Sequence, residues 1–475
     1  MNFIKKTKIV ATLGPASSTE DVIEKMITEG VNVFRINFSH ADYVDVSDRI
    51  KMIRRVDKKL NTNTSILADL QGPKLRVGKM EEGAFVNTGD QVIFLTDAPF
   101  VGDSKKAYMN YKNFPKDVSA GERILLDDGK LIFEVISTNK ENRVIVKVIQ
   151  GGLFKSNKGV NLPNTKISLP ALTEKDIKDA EFIFTQDVDW IALSFVRFSQ
   201  DLIDLKKLME KYTDEKIPII AKIEKPEALE NIDKIIAHCD GLMVARGDLG
   251  VEVPAQEVPL IQKRLVRLAK KARIPIIIAT QMMESMIDSL TPTRAEVNDV
   301  ANSVMDGADA VMLSGETSVG EYPVEVIKTM ADILISVEGS SLIQVPQEAP
   351  TIRTKRFITK SVCYHAAHIA DDIEAKAICT LTNSGYTAFQ ISAWRPSAHV
   401  LVYTSNIRIL NRLNLLWGVK TFYYNNLNST DKTIEEINEI ALNVGYVEKE
   451  DMVVNLTAMP IKSRGMVNTL RVSSI

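Results

Sequence analysis

Eight short apolar runs, each closing on polar or small residues, punctuate the first two thirds of the chain at 9–12, 31–37, 65–69, 190–194, 219–224, 241–245, 276–280 and 310–314. Between them, apolar residues recur at helical spacing in the stretches 19–29, 173–185, 226–238, 258–272 and 294–305. A strand pattern that alternates with a helix pattern in this way predicts an α/β protein built on a (β/α)8 TIM barrel. An open doubly wound sheet is the alternative, and it rarely runs to eight such regular units.

The alternation stops after the third run. From 73 to 167 the turn pairs Glu82-Gly83, Gly89-Asp90 and Asp128-Gly129 separate strand-like segments such as 143–149, with no helical period. This predicts an inserted all-β domain, and a βα-loop insertion lies on the active-site face of a barrel, where it can act as a lid. After 339–353, a linker carrying Pro346 and Pro350, helix and strand patterns resume at 354–370, 377–381, 400–403, 406–416, 430–444 and 452–456. The expected division is a barrel from 1–72 and 168–345, an inserted β-rich lid from 73–167, and a C-terminal open α/β domain from 346–475.

Composition narrows the function classes. The 475 residues carry 59 basic and 61 acidic side chains, a formal net charge of −2, which argues against nucleic acid or a membrane surface as a partner held by bulk charge. Any anion site must therefore be local. The three cysteines, Cys239, Cys363 and Cys379, show no paired spacing and read as buried thiols in a reducing compartment. No apolar run approaches the roughly 20 residues of a membrane span and no targeting core opens the chain, so a cytoplasmic location is expected.

The chemistry gathers at the strand ends: Arg35, Asn37 and Ser39 after the second run, Asp69 after the third, then Ser194, Lys222 with Glu224, Asp248, Thr280 and Ser314. Lys222 and Glu224 are two apart and project from the same side of a strand. Glu224 and Asp248 are hard oxygen donors suited to Mg²⁺, while Lys222 and Arg35 can neutralise a phosphoryl group in transit. The turn from Gly247 to Gly250 is expected to open a short helix whose free amides suit a carboxylate. Taken singly, a charged strand end is more often a solvated loop residue, and Asn37, Ser39 and Thr280 are more often turn or cap residues. Their convergence on one end of one barrel is what favours a site. The dense basic helix over 51–59 reads as a solvated face.

Longer motifs carry a resemblance. The run from Thr7 through Leu13-Gly14-Pro15-Ala16-Ser17, Phe34-Arg35-Ile36-Asn37-Phe38-Ser39-His40, Lys222-Ile223-Glu224, 243–252, Ala279-Thr280-Gln281-Met282-Met283-Glu284, 292–302 and Leu313-Ser314-Gly315-Glu316-Thr317 resemble the pyruvate kinases over the whole chain. The resemblance implies transfer of phosphate from phosphoenolpyruvate to ADP, giving pyruvate and ATP at the last step of glycolysis. It assigns Mg²⁺ (or Mn²⁺) to Glu224 and Asp248, the phosphate to Arg35, the pyruvate part to Gly247, Asp248 and Thr280, and the transferring phosphoryl group to Lys222. Asn37, His40, Arg76 and Lys158 match nucleotide-side positions. Thr280 matches the proton relay, with the hydroxyl or a nearby water delivering the proton.

One departure is informative. K⁺-requiring members hold that ion at positions matching Asn37, Ser39, Asp69 and a threonine, near a glutamate; here the last two are Leu70 and Lys74. A lysine ammonium can replace the cation, so activity without K⁺ is expected. In the terminal domain Thr382, Asn383, Ser384, Gly385 and Thr387 form a loop that in the family binds an allosteric sugar phosphate; a second loop keeps the cations Lys462 and Arg464 but lacks the tryptophan of fructose-1,6-bisphosphate-responsive members. The expected effector is a sugar phosphate or AMP, and the expected assembly a homotetramer. A metal-dependent barrel lyase or aldolase working through a pyruvate enolate is the alternative, but it needs neither the lid nor His40. A catalytically silent metabolite sensor would not keep Lys222, Glu224, Asp248 and Thr280 together.

Overall fold

The computed structural model describes residues 5–163, 165–340, 356–426, 429–460 and 466–475, with the His40 side chain outside that set. Among these residues eight parallel strands close a barrel in chain order: Lys8–Thr12, Val31–Asn37, Ser65–Asp69, Trp190–Leu193, Ile219–Ile223, Gly241–Ala245, Ile276–Ala279 and Ala310–Leu313. Seven of them are buried along their length or nearly so, which is why they read as continuous apolar runs rather than alternating ones. Closure brings Lys8 to Val10 against Ala310 to Met312.

The two-residue period of each strand sorts side chains into two populations. Ile9, Ala11, Ile219 and Ala221 face outward into the helix layer. Val10, Val33, Leu67, Trp190, Ala192, Ile220, Met243, Ile277, Ala310 and Met312 fill the lumen, and Leu415 from the C-terminal part plugs its lower end. Helices are fixed at their starts by side-chain caps: Thr173 and Thr293 form reciprocal capping boxes with Asp176 and Glu296, each worth about 1 kcal/mol.

Between the third and fourth barrel strands the chain builds a six-stranded sheet and a two-stranded one, with their own core around Phe94, Phe114, Phe133 and Phe154. The turn glycines Gly83, Gly89 and Gly129 have φ of 75°, 95° and 85°, the left-handed region that those turns require. The last part of the chain forms a five-stranded sheet flanked by helices including Phe357–Asp372, Tyr386–Ala393 and Thr430–Asn443.

Three expectations are corrected. The helix read over 226–238 is two short helices, Pro226–Glu230 and Ile232–Ile236, broken at Asn231, which lies off helical geometry at φ −103° and ψ 13°. The terminal sheet has two further strands, Val419–Tyr423 and Thr469–Ser474. The basic stretch 51–59 lies in the helix Tyr43–Leu60, but Arg54 is turned inward against three aspartates rather than solvated. The three cysteines are buried and unpaired, as expected. Among the described residues no helix is long and apolar enough to cross a membrane.

Candidate active site

Lumen alternation dictates the site. Because Ile220 points into the barrel, so do Lys222 and then Glu224; because Val33 and Leu67 point in, so do Arg35 and Asp69; because Ala192 points in, so does Ser194. Two apolar layers below therefore give way to one polar layer at the carboxyl ends of the strands.

In that layer the cations and anions interlock. Arg35 donates from Nε to Asp69 Oδ2 at 2.7 Å and from Nη1 to Thr12 Oγ1 at 3.1 Å. Lys222 Nζ donates to Ser194 Oγ at 2.6 Å and lies 3.3 Å from Asp69 Oδ1 and 3.0 Å from Glu224 Oε1. Ser194 passes its own proton to the Leu70 carbonyl at 2.7 Å. Burial opposes the charge on Lys222, but Asp69 and Glu224 outweigh it and hold the ammonium well above the ordinary lysine range. Asp69, also buried, is held low by Lys222 and Arg35. Both cations are therefore charged and aimed at the same point.

Glu224 fits a metal ligand. Its Oε2 accepts the Phe195 amide at 2.7 Å, whereas the buried Oε1 is met by the Lys222 ammonium alone, at 3.0 Å. Burial pushes its carboxyl up, Lys222 pulls it down, and the nearby Asp248 pushes it up again. A divalent cation between the two carboxylates would relieve that repulsion. Among the described residues no cluster of three or more His, Cys, Asp or Glu side chains gathers, so the protein offers two carboxylates, which suits an ion that keeps waters and shares substrate oxygens.

Asp248 is exposed, in the short helix Arg246–Glu252 that follows the sixth strand directly. Gly247 precedes it, and its amide donates to Thr280 Oγ1 at 3.2 Å; a Cβ at Gly247 would stand 2.8 Å from that oxygen, so only glycine lets the helix start approach the hydroxyl. Arg246, which sequence reasoning passed over, fixes this corner by donating to the Thr280 carbonyl and to Asp299, each at 2.7 Å. A buried pair also missed is Lys225–Glu252, 2.6 Å apart, to which Asn161 of the inserted sheet donates at 2.9 Å. Arg246 and Glu252 lie within the run 243–252, but their roles were not readable there because each works through a partner outside it.

The remaining sequence-predicted residues are distributed as follows. Asn37 stands opposite Asp69 in the strand register, and its side chain caps the Ser39 amide at 3.1 Å. Leu70 is buried beside Asp69. Lys74, with Asp248, Asn161, Lys225 and Arg197, lines a cavity of about 130 Å³ between barrel and inserted sheet. Burial and Arg76 lower the Lys74 ammonium from its usual range while Asp248 pulls it back up. Arg76 donates to the Asn157 carbonyl at 3.1 Å and Lys158 pairs with Asp127 at 2.9 Å, so both stand on the inserted sheet. The side chain of His40 lies outside the described residues. In the terminal loop Asn383 and Ser384 are exposed, Thr382 accepts the Gly385 amide at 3.0 Å, Gly385 has φ 79°, and Thr387 is buried. Lys462 and Arg464 lie outside the described residues.

Comparison with known proteins agrees with this geometry. Residues 4–327 match the family model for the pyruvate kinase barrel domain, and 360–473 the model for the pyruvate kinase alpha/beta domain. A pyruvate kinase of Corynebacterium glutamicum is 42% identical over 98% of this chain and 97% of its own. One from Geobacillus stearothermophilus is 41% identical over 99% of this chain and 80% of its own. The crystal structure of a pyruvate kinase from Cryptosporidium parvum superposes with a TM-score of 0.91 at 31% identity, covering 99% of this chain and 96% of that one. With an Arg35–Asp69–Lys222–Glu224 layer at the mouth of the barrel and both domain models matched, the chain belongs to the pyruvate kinase family.

Proposed function

We propose that this chain transfers the phosphoryl group of phosphoenolpyruvate to ADP, releasing pyruvate and ATP. The observation that carries the reading is the convergence of two cations, Arg35 and Lys222, with a buried carboxylate oxygen whose one partner is the Lys222 ammonium, at one end of the barrel. Arg35 binds the substrate phosphate. Lys222, held cationic by Asp69 and Glu224, neutralises the equatorial phosphoryl oxygens as the bond to the enol oxygen breaks and the β-phosphate oxygen of ADP bonds to phosphorus. The electron pair of the broken bond stays on the enolate, which takes a proton at its methylene carbon from the Thr280 side of the pocket. Gly247 and Asp248 border the pyruvate part. Glu224 and Asp248 would hold Mg²⁺ or Mn²⁺, which when bound supplies charge neutralisation for substrate and phosphoryl oxygens.

Asn37, His40, Arg76 and Lys158 take the nucleotide, with 73–167 as the lid that closes over it, 1–72 with 168–345 as the catalytic barrel, and 346–475 as the regulatory and assembly domain of a homotetramer; the boundary at 345/346 lies outside the described residues. Lys74 stands in for K⁺ at the site of Asn37, Ser39, Asp69 and Leu70; its place beside Asp248 supports this. A sugar phosphate or AMP binds at Thr382, Asn383, Ser384, Gly385 and Thr387 with Lys462 and Arg464, and the exposure of Asn383 and Ser384 supports a ligand there.

A coupled assay of pyruvate formation tests the reading. Turnover should require phosphoenolpyruvate, ADP and a divalent cation together, and pyruvate released without ADP would overturn it. Omitting K⁺ and Na⁺ should leave the rate unchanged, and titrating effectors at low phosphoenolpyruvate should raise it.

A further inference from the structure

Far from the catalytic face, where the amino-terminal ends of the seventh and eighth barrel strands meet the terminal domain, cations outnumber anions around a small cleft. A cavity of about 10 Å³, room for one water-sized occupant, is lined by Lys270, Arg273, Asp309 and Arg395 with Phe389 and Leu416 among the apolar walls. Lys270 is in the last turn of the helix Val258–Ala272, and its buried Nζ has no hydrogen-bond partner. Arg395, on the terminal domain, is 6% exposed and lies over the Trp417 ring at 4.6 Å; Nη2 donates to the Gly307 carbonyl at 2.6 Å and pairs with Asp309 at 3.0 Å, while Nε and Nη1 are buried without hydrogen-bond partners. Arg273 lies over the Trp394 ring at 4.4 Å. Asp309 is the one carboxylate in the wall, and its second oxygen is taken by the Ile276 amide at 3.0 Å.

Lys270 Nζ and two N–H groups of Arg395 thus lack hydrogen-bond partners beside a space whose lining carries an excess of positive charge. Burial and the charge of Arg395 push the Lys270 ammonium down to about 6, against the pull of Asp309, so the cluster as it stands disfavours its own full protonation. A buried cation group of this kind is stabilised by a counter-ion that accepts from several donors at once. The volume excludes a phosphate ester.

We infer that the Lys270–Arg395 cavity is a binding site for a small monovalent inorganic anion such as chloride, which clasps the terminal domain to the lower end of the barrel. The ion accepts from Lys270 Nζ and from one of the unpaired Arg395 N–H groups, and with it bound Lys270 is held protonated. Lys6 and Glu338, which also act on Arg395 across the same junction, set the background charge without lining the cavity.

Bromide soaked into crystals tests this directly. An anomalous peak between Lys270 Nζ and Arg395 is expected, and its absence overturns the site. In solution, the unfolding midpoint in chloride should exceed that in gluconate at equal ionic strength by roughly 2 °C or more. Lys270→Met should abolish that difference; if the variant keeps it, the chloride effect belongs elsewhere and the inference fails.

Discussion

Two buried clusters of the barrel each set cations among acids, one at either end, and they are finished differently. At the lower end Arg54 donates to Asp187, Asp189 and the Thr64 carbonyl at 2.7, 2.8 and 2.7 Å, while Asp57 accepts from Thr62 and from both the amide and hydroxyl of Thr64. Asp189 also takes the Ile66 amide at 2.8 Å. The donors and acceptors there satisfy one another. At the upper end Lys222 meets Asp69 and Glu224 at 3.3 and 3.0 Å, and Glu224 Oε1 has no partner besides that ammonium. Closed networks hold elements together, whereas open ones leave capacity for a substrate. Between these two clusters the difference lies in how completely the carboxylates are satisfied, not in charge density.

If this is right, the two ends respond to different measurements. Lys222→Met should lower kcat by about 10⁴-fold, about 5 kcal/mol of transition-state stabilisation, with KM for phosphoenolpyruvate moved far less. Near-normal turnover would erase the distinction. Arg54→Met should cost about 3–4 kcal/mol of stability, seen in denaturant unfolding, because it strands Asp189 and Asp57 as buried charges. The kcat of its folded fraction should be unchanged, and a parallel loss would show that the lower cluster acts in catalysis.

A smaller effect belongs to His399, at the start of a terminal-domain strand near Lys6, where burial and then Lys6 lower its imidazole to about 4. The unfolded chain binds that proton more readily, so stability present above about 6.5 is lost as pH falls toward 4, by about 3 kcal/mol. His399→Gln should flatten that part of the stability profile. The smallest change concerns the cation stand-in: Leu70→Thr with Lys74→Glu should acquire stimulation by KCl that the parent lacks, and a double variant indifferent to K⁺ would remove Lys74 from that role.

The barrel was legible because its strands are buried on both faces and therefore write themselves as unbroken apolar runs, and Lys222, Glu224 and Asp69 stand out where those runs end. Thr469–Ser474 was not legible, since Thr-Leu-Arg-Val-Ser-Ser is a partly exposed edge strand that pairs antiparallel with Met452–Thr457 and has no apolar run. Arg54 was misread because its partners Asp187 and Asp189 lie more than a hundred residues away. Separations of 53 and 91 residues likewise hid the Arg246–Asp299 and Asn161–Glu252 contacts, whose meaning exists only once the chain has closed on itself.

The three buried cysteines have a practical consequence. Burial pushes the thiols of Cys239, Cys363 and Cys379 up to about 12, so at pH 8 roughly one in ten thousand is a thiolate. Maleimide dyes should therefore pass over the native thiols of the folded chain. A single cysteine placed at exposed Leu153 on the inserted sheet and another at exposed Leu290 on the barrel would take a fluorophore pair without any native thiol being removed. The lid closure proposed above could then be tested, molecule by molecule, by adding and removing nucleotide.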